Sequence, residues 1–365
     1  IARTFKYTAM PSLSLLVQLA VAWIISFGAR RLIQELKMNK KQPTSSTTSI
    51  TSSNVVHDPL DIPANDHAGP LPLESYPNIL GITSSMRHAF HPVVEMDPAQ
   101  TTILDLSRTT GQSQLIPLEQ QQTFIQNRTN ERRNNNSMQN NKHKHEEITS
   151  QNMNVNANNN ETIMLTHYTI GKFDEDRVNL YSSQLFEDDE NEIGGYKGAR
   201  TLHVGVDLGA PVGEYVYSFW DGVVHSVGYN SDLGDYGYVI VMEYDLSLCK
   251  AHDNINGASA SASTPLVGLN GFEKELDRFW VLYGHLDKST VERNRKGDQV
   301  KRGDILGRIG DVDENGGWSI PHVHFQVATF PPETHDMPGA VTVQDRTRAL
   351  MEDFPDPRWI LGDIY

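Results

Sequence analysis

The stretch IPHVHFQVAT, residues 320–329, places two histidines two positions apart inside a run of apolar and β-branched residues. A β-strand directs residues i and i+2 to the same face, about 7 Å apart along the backbone. His322 and His324 therefore share one face of a predicted strand. A solvated strand face and a metal-binding face are both compatible with this triplet, so the rest of the chain has to decide between them.

Strand-like segments surround this stretch from about residue 162 onward. They are short and separated by Gly and Asp, which is typical of an antiparallel β domain. The sequence predicts a mainly β fold over 161–365, an antiparallel β-sandwich or barrel-like sheet with its core at about 195–330. Helical periodicity is scarce, with one short turn near 287–293. A segment of about 200 residues is long enough to bury a hydrophobic core.

The chain before residue 161 has a different composition. Residues 7–29 carry no charge and predict one hydrophobic helix, either a membrane anchor or a targeting segment. We therefore expect a membrane-associated, secretory or organelle-targeted protein. Residues 30–160 are predicted to be a disordered low-complexity region, Asn-rich at 126–160, because such a composition buries too little apolar surface to offset the entropy of ordering. A further hypothesis is that this region covers the functional groove, so that deletion of 1–160 raises activity.

Charge and cysteine content exclude several classes of site. The formal net charge is −15, which argues against a nucleic-acid partner, because nucleic-acid binding requires a basic surface. Cys249 is the single cysteine, so neither an intrachain disulfide nor a cysteine-rich zinc site is available. Any metal ion has to be held by histidines and carboxylates.

Two further segments carry histidines next to small residues. LHVGVDLG, residues 202–209, contains His203 and Asp207, which would lie about 13 Å apart on a straight strand. They can reach one ion only if the chain bends between them, and Gly205 lies midway, where a strand glycine often marks a bend. LYGHLD, residues 282–287, contains His285.

A zinc site of the hydrolytic kind uses three protein ligands and leaves a fourth position for water. The candidates are His203, Asp207, His285, His322 and His324, and their spacing alone does not choose three of them. Two imidazoles left beside the ion would suit general-base and transition-state roles.

Other motifs are less specific. The glycine-rich GDQVKRGDILGRIG, residues 297–310, predicts hairpin corners rather than a phosphate-binding loop, because no helix follows it. Tyr236, Tyr283 and Trp318 are candidates for the wall of a groove, although aromatic residues of β domains also form the core.

Five segments occur in the order found in the lysostaphin-type zinc metallopeptidases. They are HVGVDLGAPVG (203–213), DGVV (221–224), YGHL (283–286), KGDQVKRGDILGRIG (296–310) and PHVHFQV (321–327). The chain resembles this family over roughly 201–330. The resemblance implies a duplicated hybrid-motif β-fold, one Zn²⁺ ion and glycyl-glycine or murein endopeptidase activity.

A narrower resemblance involves IGKFDEDRVNLY (170–181) and ENGGW (314–318). Both look like the variant of this domain that some bacterial proteins fuse to a class-III aminotransferase.

The family resemblance also implies a role for each candidate. His203, Asp207 and His324 match the zinc ligands, and His285 and His322 match the two catalytic histidines. The sequence thus predicts a zinc-dependent metalloendopeptidase-like hydrolase that cleaves a peptide or peptidoglycan-like substrate with a zinc-activated water. Two alternatives stay open, a zinc hydrolase of a small amide and a non-catalytic binding or regulatory module on the same fold.

Overall fold

The computed structural model of the chain describes residues 70–107, 114–140, 168–181, 183–187, 192–255 and 276–365. The predicted hydrophobic helix at 7–29 lies outside these ranges, and so does the Asn-rich tract beyond residue 140. Both stay predictions. Within the described ranges, no helix is long and apolar enough to cross a membrane.

The residues that the structure describes form thirteen strands in three sheets. The strands are β1 (Thr101–Ile103), β2 (Tyr168–Gly171), β3 (Glu175–Asp176), β4 (Leu202–His203), β5 (Val206–Gly209), β6 (Tyr215–Tyr217), β7 (Gly222–Asn230), β8 (Gly237–Asp245), β9 (Arg278–Leu286), β10 (Gln299–Val300), β11 (Ile305–Arg308), β12 (His322–Ala328) and β13 (Ala340–Val341).

The largest sheet has eight strands in the order β1-β2-β5-β12-β9-β8-β7-β10, and its neighbours are antiparallel except for the parallel pair β1–β2. Two small sheets, β11-β6 and β13-β4-β3, accompany it. The predicted mainly β, antiparallel architecture is confirmed. The described strands do not close into a barrel, because β1 and β10 form the two edges of the large sheet.

Helices and helical turns lie between the strands. Helical segments cover Ser84–His88, Leu118–Asn140, Gln184–Glu187, Leu246–Ile255, Ser289–Arg293, Arg346–Arg348 and Arg358–Leu361, with 3₁₀ turns at Leu73–Ser75, Pro98–Gln100 and Val343–Asp345 and a π-helical turn at Ala349–Asp353.

The central strands explain the position of the core. β8 and β9 carry nearly continuous apolar runs, and β9 is buried at every position after Arg278. Such runs are expected where both faces of a sheet are covered. Phe279, Leu282 and Phe325 belong to one large hydrophobic cluster that also includes residues of β5 and β7. β9 and β12, which carry His285, His322 and His324, are therefore packed into this core.

Residues 70–107 belong to the folded domain, so the prediction of disorder over 30–160 is wrong for this part of the region. Tyr76, Leu80, Ile82 and Met86 are buried in the same cluster as the central strands. These side chains lie in single helical turns and irregular backbone, so no period of 2 or 3.6 residues reveals them in the sequence. The composition of this segment, averaged over these apolar residues and their polar neighbours, resembles that of a disordered region.

The helix Leu118–Asn140 also lies within the region predicted to be disordered, and its C-terminal half extends into the Asn-rich tract. Its Arg128 is buried and forms an ion pair with Asp311. Contacts of this kind join residues far apart in the sequence and leave no local pattern.

Candidate metal centre and active site

His203 and Asp207 meet because the chain changes sheet between them. His203 ends β4 in the three-stranded sheet, and Asp207 lies in β5 of the eight-stranded sheet. Nε2 of His203 is 3.2 Å from Oδ1 of Asp207. A straight strand would separate the two backbones by about 13 Å, so the change of sheet is what allows one ion to contact both side chains.

Gly205 lies inside this connection and makes room for the third side chain. A Cβ built on Gly205 would lie 2.5 Å from Cε1 of His324. Any residue with a side chain would therefore displace the imidazole ring. Glycine is needed at this position because the imidazole of His324 lies so close to the backbone.

The strand register brings His324 beside Asp207. β12 pairs antiparallel with β5 so that His324 lies opposite Asp207, and it pairs with β9 so that His324 lies opposite Gly284. Nδ1 of His324 is 3.1 Å from Oδ1 of Asp207 and 3.0 Å from Nε2 of His203. Three potential ligand atoms from three strands thus form a nearly equilateral triangle.

Hydrogen bonds behind these rings determine which nitrogens carry protons. Nδ1 of His203 lies 2.8 Å from the carbonyl oxygen of Lys172, which can only accept. Nε2 of His324 lies 2.9 Å from Oε1 of Gln326, whose amide nitrogen donates to the carbonyl of Pro338 and so fixes the amide orientation. The outer nitrogens are therefore the protonated ones, and the inner nitrogens direct lone pairs at each other.

A zinc ion fits this arrangement. His203 Nε2, His324 Nδ1 and Asp207 Oδ1 are 3.0–3.2 Å apart in buried surroundings. A tetrahedral ion with bonds of about 2.0–2.1 Å requires ligand atoms about 3.3 Å apart, so the three atoms match three corners of such a tetrahedron. Three lone pairs this close repel one another unless a cation lies between them.

His285 reaches the same region through a bulge in β9. The register between β8 and β9 shifts here, because Tyr238 pairs with Leu286 and Ile240 pairs with Tyr283. One extra residue of β9 is accommodated, and His285 adopts a φ of 63°. A left-handed conformation in a residue other than glycine costs energy and is often found at functional sites.

His285 and His322 face each other. Their ring centroids are 4.5 Å apart, and Nε2 of His322 lies 3.8 Å from Oδ1 of Asp207. Nδ1 of His285 contacts the carbonyl of Asn315, and Nδ1 of His322 contacts the carbonyl of Ile320, each at 2.8 Å. Both rings are thus held by an Nδ1–H donor, and each keeps an Nε2 lone pair for proton transfer.

The electrostatic environment keeps the imidazoles of His203, His285 and His322 neutral and the carboxylate of Asp207 charged. Burial, together with the nearby Arg177, lowers the pKa of His203 to about 4. Burial also lowers the pKa of His322, and it lowers that of His285 well below its usual value with help from His322. Burial alone would raise the pKa of Asp207, but His203 and Arg177 outweigh it and hold that pKa well below its usual value. At neutral pH these three rings therefore offer lone pairs, and Asp207 offers one negative charge.

Two of the three aromatic candidates form walls of the site. The ring of Tyr236 lies 5.3 Å from that of His324, and the ring of Trp318 lies 5.8 Å from that of His285. Tyr283 instead belongs to the core, where its hydroxyl is 2.8 Å from that of Tyr244. Tyr236 and Trp318 thus shape the approach to the histidines.

A cavity opens onto the histidines and is lined partly by the N-terminal segment. Its lining includes all five candidate residues and also Leu104, Leu106 and Gln114. The backbone N–H of Leu106 donates to Oε1 of Glu175 at 3.0 Å, which holds this segment against β3. Residues before the β domain therefore contribute to the site.

The structure brings all five candidates selected from the sequence into one cluster. His203, Asp207 and His324 form a group that could hold a metal ion, and His285 and His322 lie beside it. The division into ligands and catalytic groups stays a prediction.

Sequence reasoning missed the residues that orient the cluster. Gln326 lies two positions after His324 on the same strand face, so the strand period could have revealed it. Arg177, which donates to Oδ2 of Asp207 at 2.7 Å, is 30 residues away from it and carries no local signal.

Comparison with solved structures finds several peptidases among the matches. No family model matches the chain, and no curated protein matches it. A solved structure of a zinc-containing peptidase from Vibrio cholerae is 24% identical over 39% of this chain, with a TM-score of 0.23. The catalytic domain of the antimicrobial peptidase lysostaphin from Staphylococcus simulans is 18% identical over 49% of this chain, with a TM-score of 0.25.

A third neighbour is the catalytic domain of the prophage-encoded M23 protein EnpA from Enterococcus faecalis, 19% identical over 43% of this chain with a TM-score of 0.23. The match spans 35% of the length of the Vibrio cholerae peptidase, 89% of the lysostaphin catalytic domain and 85% of the EnpA domain. These three neighbours are thus a zinc-containing peptidase, the catalytic domain of lysostaphin and the catalytic domain of an M23 protein. The narrower resemblance to the variant fused to aminotransferases stays a prediction.

Proposed function

We propose that the chain is a zinc-dependent hydrolase that cleaves a peptide or amide bond. His203, Asp207 and His324 would hold the ion. The observation that carries this proposal is the convergence of their three inner atoms within 3.0–3.2 Å, with lone pairs directed inward. In neutral imidazoles the outer hydrogen bonds use the single N–H of each ring, so no hydrogen atom lies between the inner atoms to hold them together without a cation.

The chemistry follows from the groups around the open side of the triangle. A zinc ion bound there would supply a Lewis acid that lowers the pKa of a water and polarises a carbonyl. His285 and His322 present Nε2 lone pairs to the cavity, so either ring can take a proton from water. The ring that is then protonated can return this proton to the leaving amine, so the proton taken from water ends on the amine product.

The wall residues favour a chain-like substrate. Tyr236 and Trp318 flank the histidines with flat rings, and such rings pack against the backbone and small side chains of an extended peptide. We therefore favour a peptide, including a peptidoglycan-like peptide, as the substrate.

One observation favours the alternative of a small amide. Leu104, Leu106 and Gln114 line the cavity over the histidines, so the N-terminal segment occupies part of the space that a long peptide would need. A compact substrate would need less of that space than a long peptide does.

A substrate panel combined with zinc analysis separates these proposals. Turnover of glycine-rich peptides or muropeptides that is lost with chelator and restored by zinc supports the peptidase. Turnover restricted to small amides supports the alternative. Bound zinc without turnover of either class would point to a binding or regulatory module, and a chain that binds no zinc would refute the hydrolase.

A further inference from the structure

The connection between β2 and β3 lies directly behind the proposed zinc ligands. The carbonyl oxygen of Lys172 accepts the Nδ1–H of His203 at 2.8 Å. A Cβ on Gly171 would lie 2.7 Å from Oδ2 of Asp207, so the backbone passes this carboxylate at very close range. One short segment therefore contacts two of the three ligand candidates from the outside.

Arg177 completes this layer. Its side chain is only 2% exposed, and Nη1 donates to Oδ2 of Asp207 at 2.7 Å. Nε donates to Oε2 of Glu175 at 3.0 Å, Nη1 is 3.2 Å from the hydroxyl of Tyr181, and Nη2 is 3.3 Å from the carbonyl of Lys172. The guanidinium is thus fixed on several sides and has little freedom to leave Asp207.

These contacts define the orientation of the carboxylate. Oδ2 is engaged by Arg177, whereas Oδ1 faces both His203 and His324. A carboxylate that rotated could present both oxygens to one ion and occupy two coordination positions. A hydrolytic zinc site needs one position left for water or substrate.

We propose that Arg177 is a positioning residue that restricts Asp207 to one oxygen toward the metal and so keeps the fourth coordination position open. This inference rests on the proposed function, because it assumes that the three ligand candidates hold zinc. Arg177 does not touch the substrate in this account. It acts through Asp207, and it also contacts the Lys172 carbonyl that accepts the hydrogen bond of His203.

The planar fork of arginine is required for this role, whereas its charge alone opposes zinc binding. A guanidinium beside a metal ion repels it, and the buried carboxylate of Glu175 offsets part of this repulsion. Lysine would keep the charge but could not contact Asp207, Glu175 and the carbonyl of Lys172 at the same time. Arg177→Lys therefore separates orientation from charge.

The segment that carries Arg177 is itself held in place by residues from the N-terminal and the C-terminal parts of the domain. Asp174 has a φ of 54°, an unusual conformation for a residue other than glycine. Its carboxylate accepts a hydrogen bond from the Tyr76 hydroxyl at 2.7 Å and forms an ion pair with Arg346. This anchoring makes a rigid support for Arg177.

The test compares Arg177→Lys with Arg358→Lys in the full chain. Arg358 is a matched control, because it is equally buried, pairs with the Asp356 carboxylate at 2.7 Å and is not among the residues that line the cavity. Zinc affinity is measured by competition with a chromogenic chelator. The visible spectrum of the cobalt-substituted protein reports coordination number, since tetrahedral Co²⁺ absorbs far more strongly than Co²⁺ with five or six ligands.

We expect Arg177→Lys to weaken zinc binding by about 10–100-fold and to weaken the cobalt absorption, while Arg358→Lys changes neither. Unchanged affinity and spectrum in Arg177→Lys would overturn the positioning role and leave the proposed function intact. Equal losses in both variants would reduce Arg177 to a general stabilising role and overturn the inference. A wild-type chain that binds no zinc would instead refute the proposed function itself.

A second variant covers the case in which Arg177→Lys does not fold. Glu175→Gln removes the negative charge that holds Nε of Arg177 but leaves the guanidinium in place. We expect a smaller change in the same direction, in both zinc affinity and cobalt spectrum. No change in either would count against the proposal.

Discussion

Gly205 packs so closely against the imidazole of His324 that a single added methyl group would lie 2.5 Å from Cε1 of that ring. The contact connects two parts of the chain that are 119 positions apart. It shows that the bend between β4 and β5 and the face of β12 are shaped to each other. The cluster of histidines is therefore a built feature of the fold.

Gly205→Ala should weaken zinc binding by on the order of 10–100-fold, because the displaced ring of His324 no longer meets His203 and Asp207 in the right geometry. Chelator competition measures this effect. Gly228→Ala is the matched control, since a Cβ there also lies 2.5 Å from an imidazole carbon, that of His335 outside the cluster. Equal zinc affinity in the two variants would contradict the account.

His285→Ala should retain zinc and lose turnover by about 10²–10⁴-fold, because the ring contributes to proton transfer without holding the ion. Metal analysis and a substrate identified from the panel provide the two measurements. His225→Ala serves as the control, because His225 lies on β7 and is not among the cavity-lining residues. Release of zinc from His285→Ala would show that the ligands have been assigned wrongly.

The carboxyl group of Asp336 should make the free energy of unfolding depend on pH. Burial and the neighbouring Asp235 raise the pKa of Asp336 to about 7, and its Oδ1 is buried without a hydrogen-bond partner among the described residues. The folded state holds a proton that the unfolded state releases above its ordinary pKa of 3.8, so this contribution to stability is full below pH 3.8 and is lost as the pH rises toward 7.

Asp336→Asn should therefore be more stable than wild type at pH 8, by about 1–2 kcal/mol after allowance for partial exposure, and show no such gain near pH 4. Chemical denaturation at both pH values measures the difference. The exposed Asp313→Asn is the control and should leave the stability profile unchanged. An equal gain at both pH values would mean that the carboxyl proton is not the cause.

Deletion of residues 1–107 should unfold the domain, whereas deletion of 1–69 should not. The longer deletion removes Leu80, Ile82 and Met86, each at most 2% exposed. Each such side chain contributes about 1.5–3 kcal/mol, and a whole domain is stable by only about 5–15 kcal/mol. Cooperative thermal unfolding of the two variants tests this, and a cooperative transition in the longer deletion would be incompatible with the core described above.

The burial of residues 70–107 in the core also limits how the predicted covering of the groove can be tested. Deletion of 1–160 would remove core residues together with the segment that lines the cavity, so a loss of activity would say nothing about inhibition. The hypothesis that this region covers the groove requires point substitutions at Leu104 or Leu106, which line the cavity.

The predictable part of the molecule is the part with a local period. His322 and His324 share a strand face because strands repeat every two residues, and the apolar runs of β8 and β9 mark the centre of the sheet. The β architecture and the members of the candidate cluster follow from such patterns together with the family resemblance.

Features that depend on long-range contacts leave no periodic pattern in the sequence. Tyr76 and Met86 fill the core from irregular segments, and the bulge at His285 arises from pairing with β8. Arg177, which directly follows β3, contacts Asp207 in β5. In each case the determining contact joins residues whose proximity exists only in the folded chain.

Zinc content per folded chain, measured after dialysis against a weak chelator, tests the central claim most directly. The account predicts one zinc ion in the wild type and in His285→Ala, and less than about one tenth of that in His203→Ala, Asp207→Ala and His324→Ala, since each removes one of three ligands. A wild-type chain without zinc, or any of the three ligand variants with a full complement of it, would contradict the account.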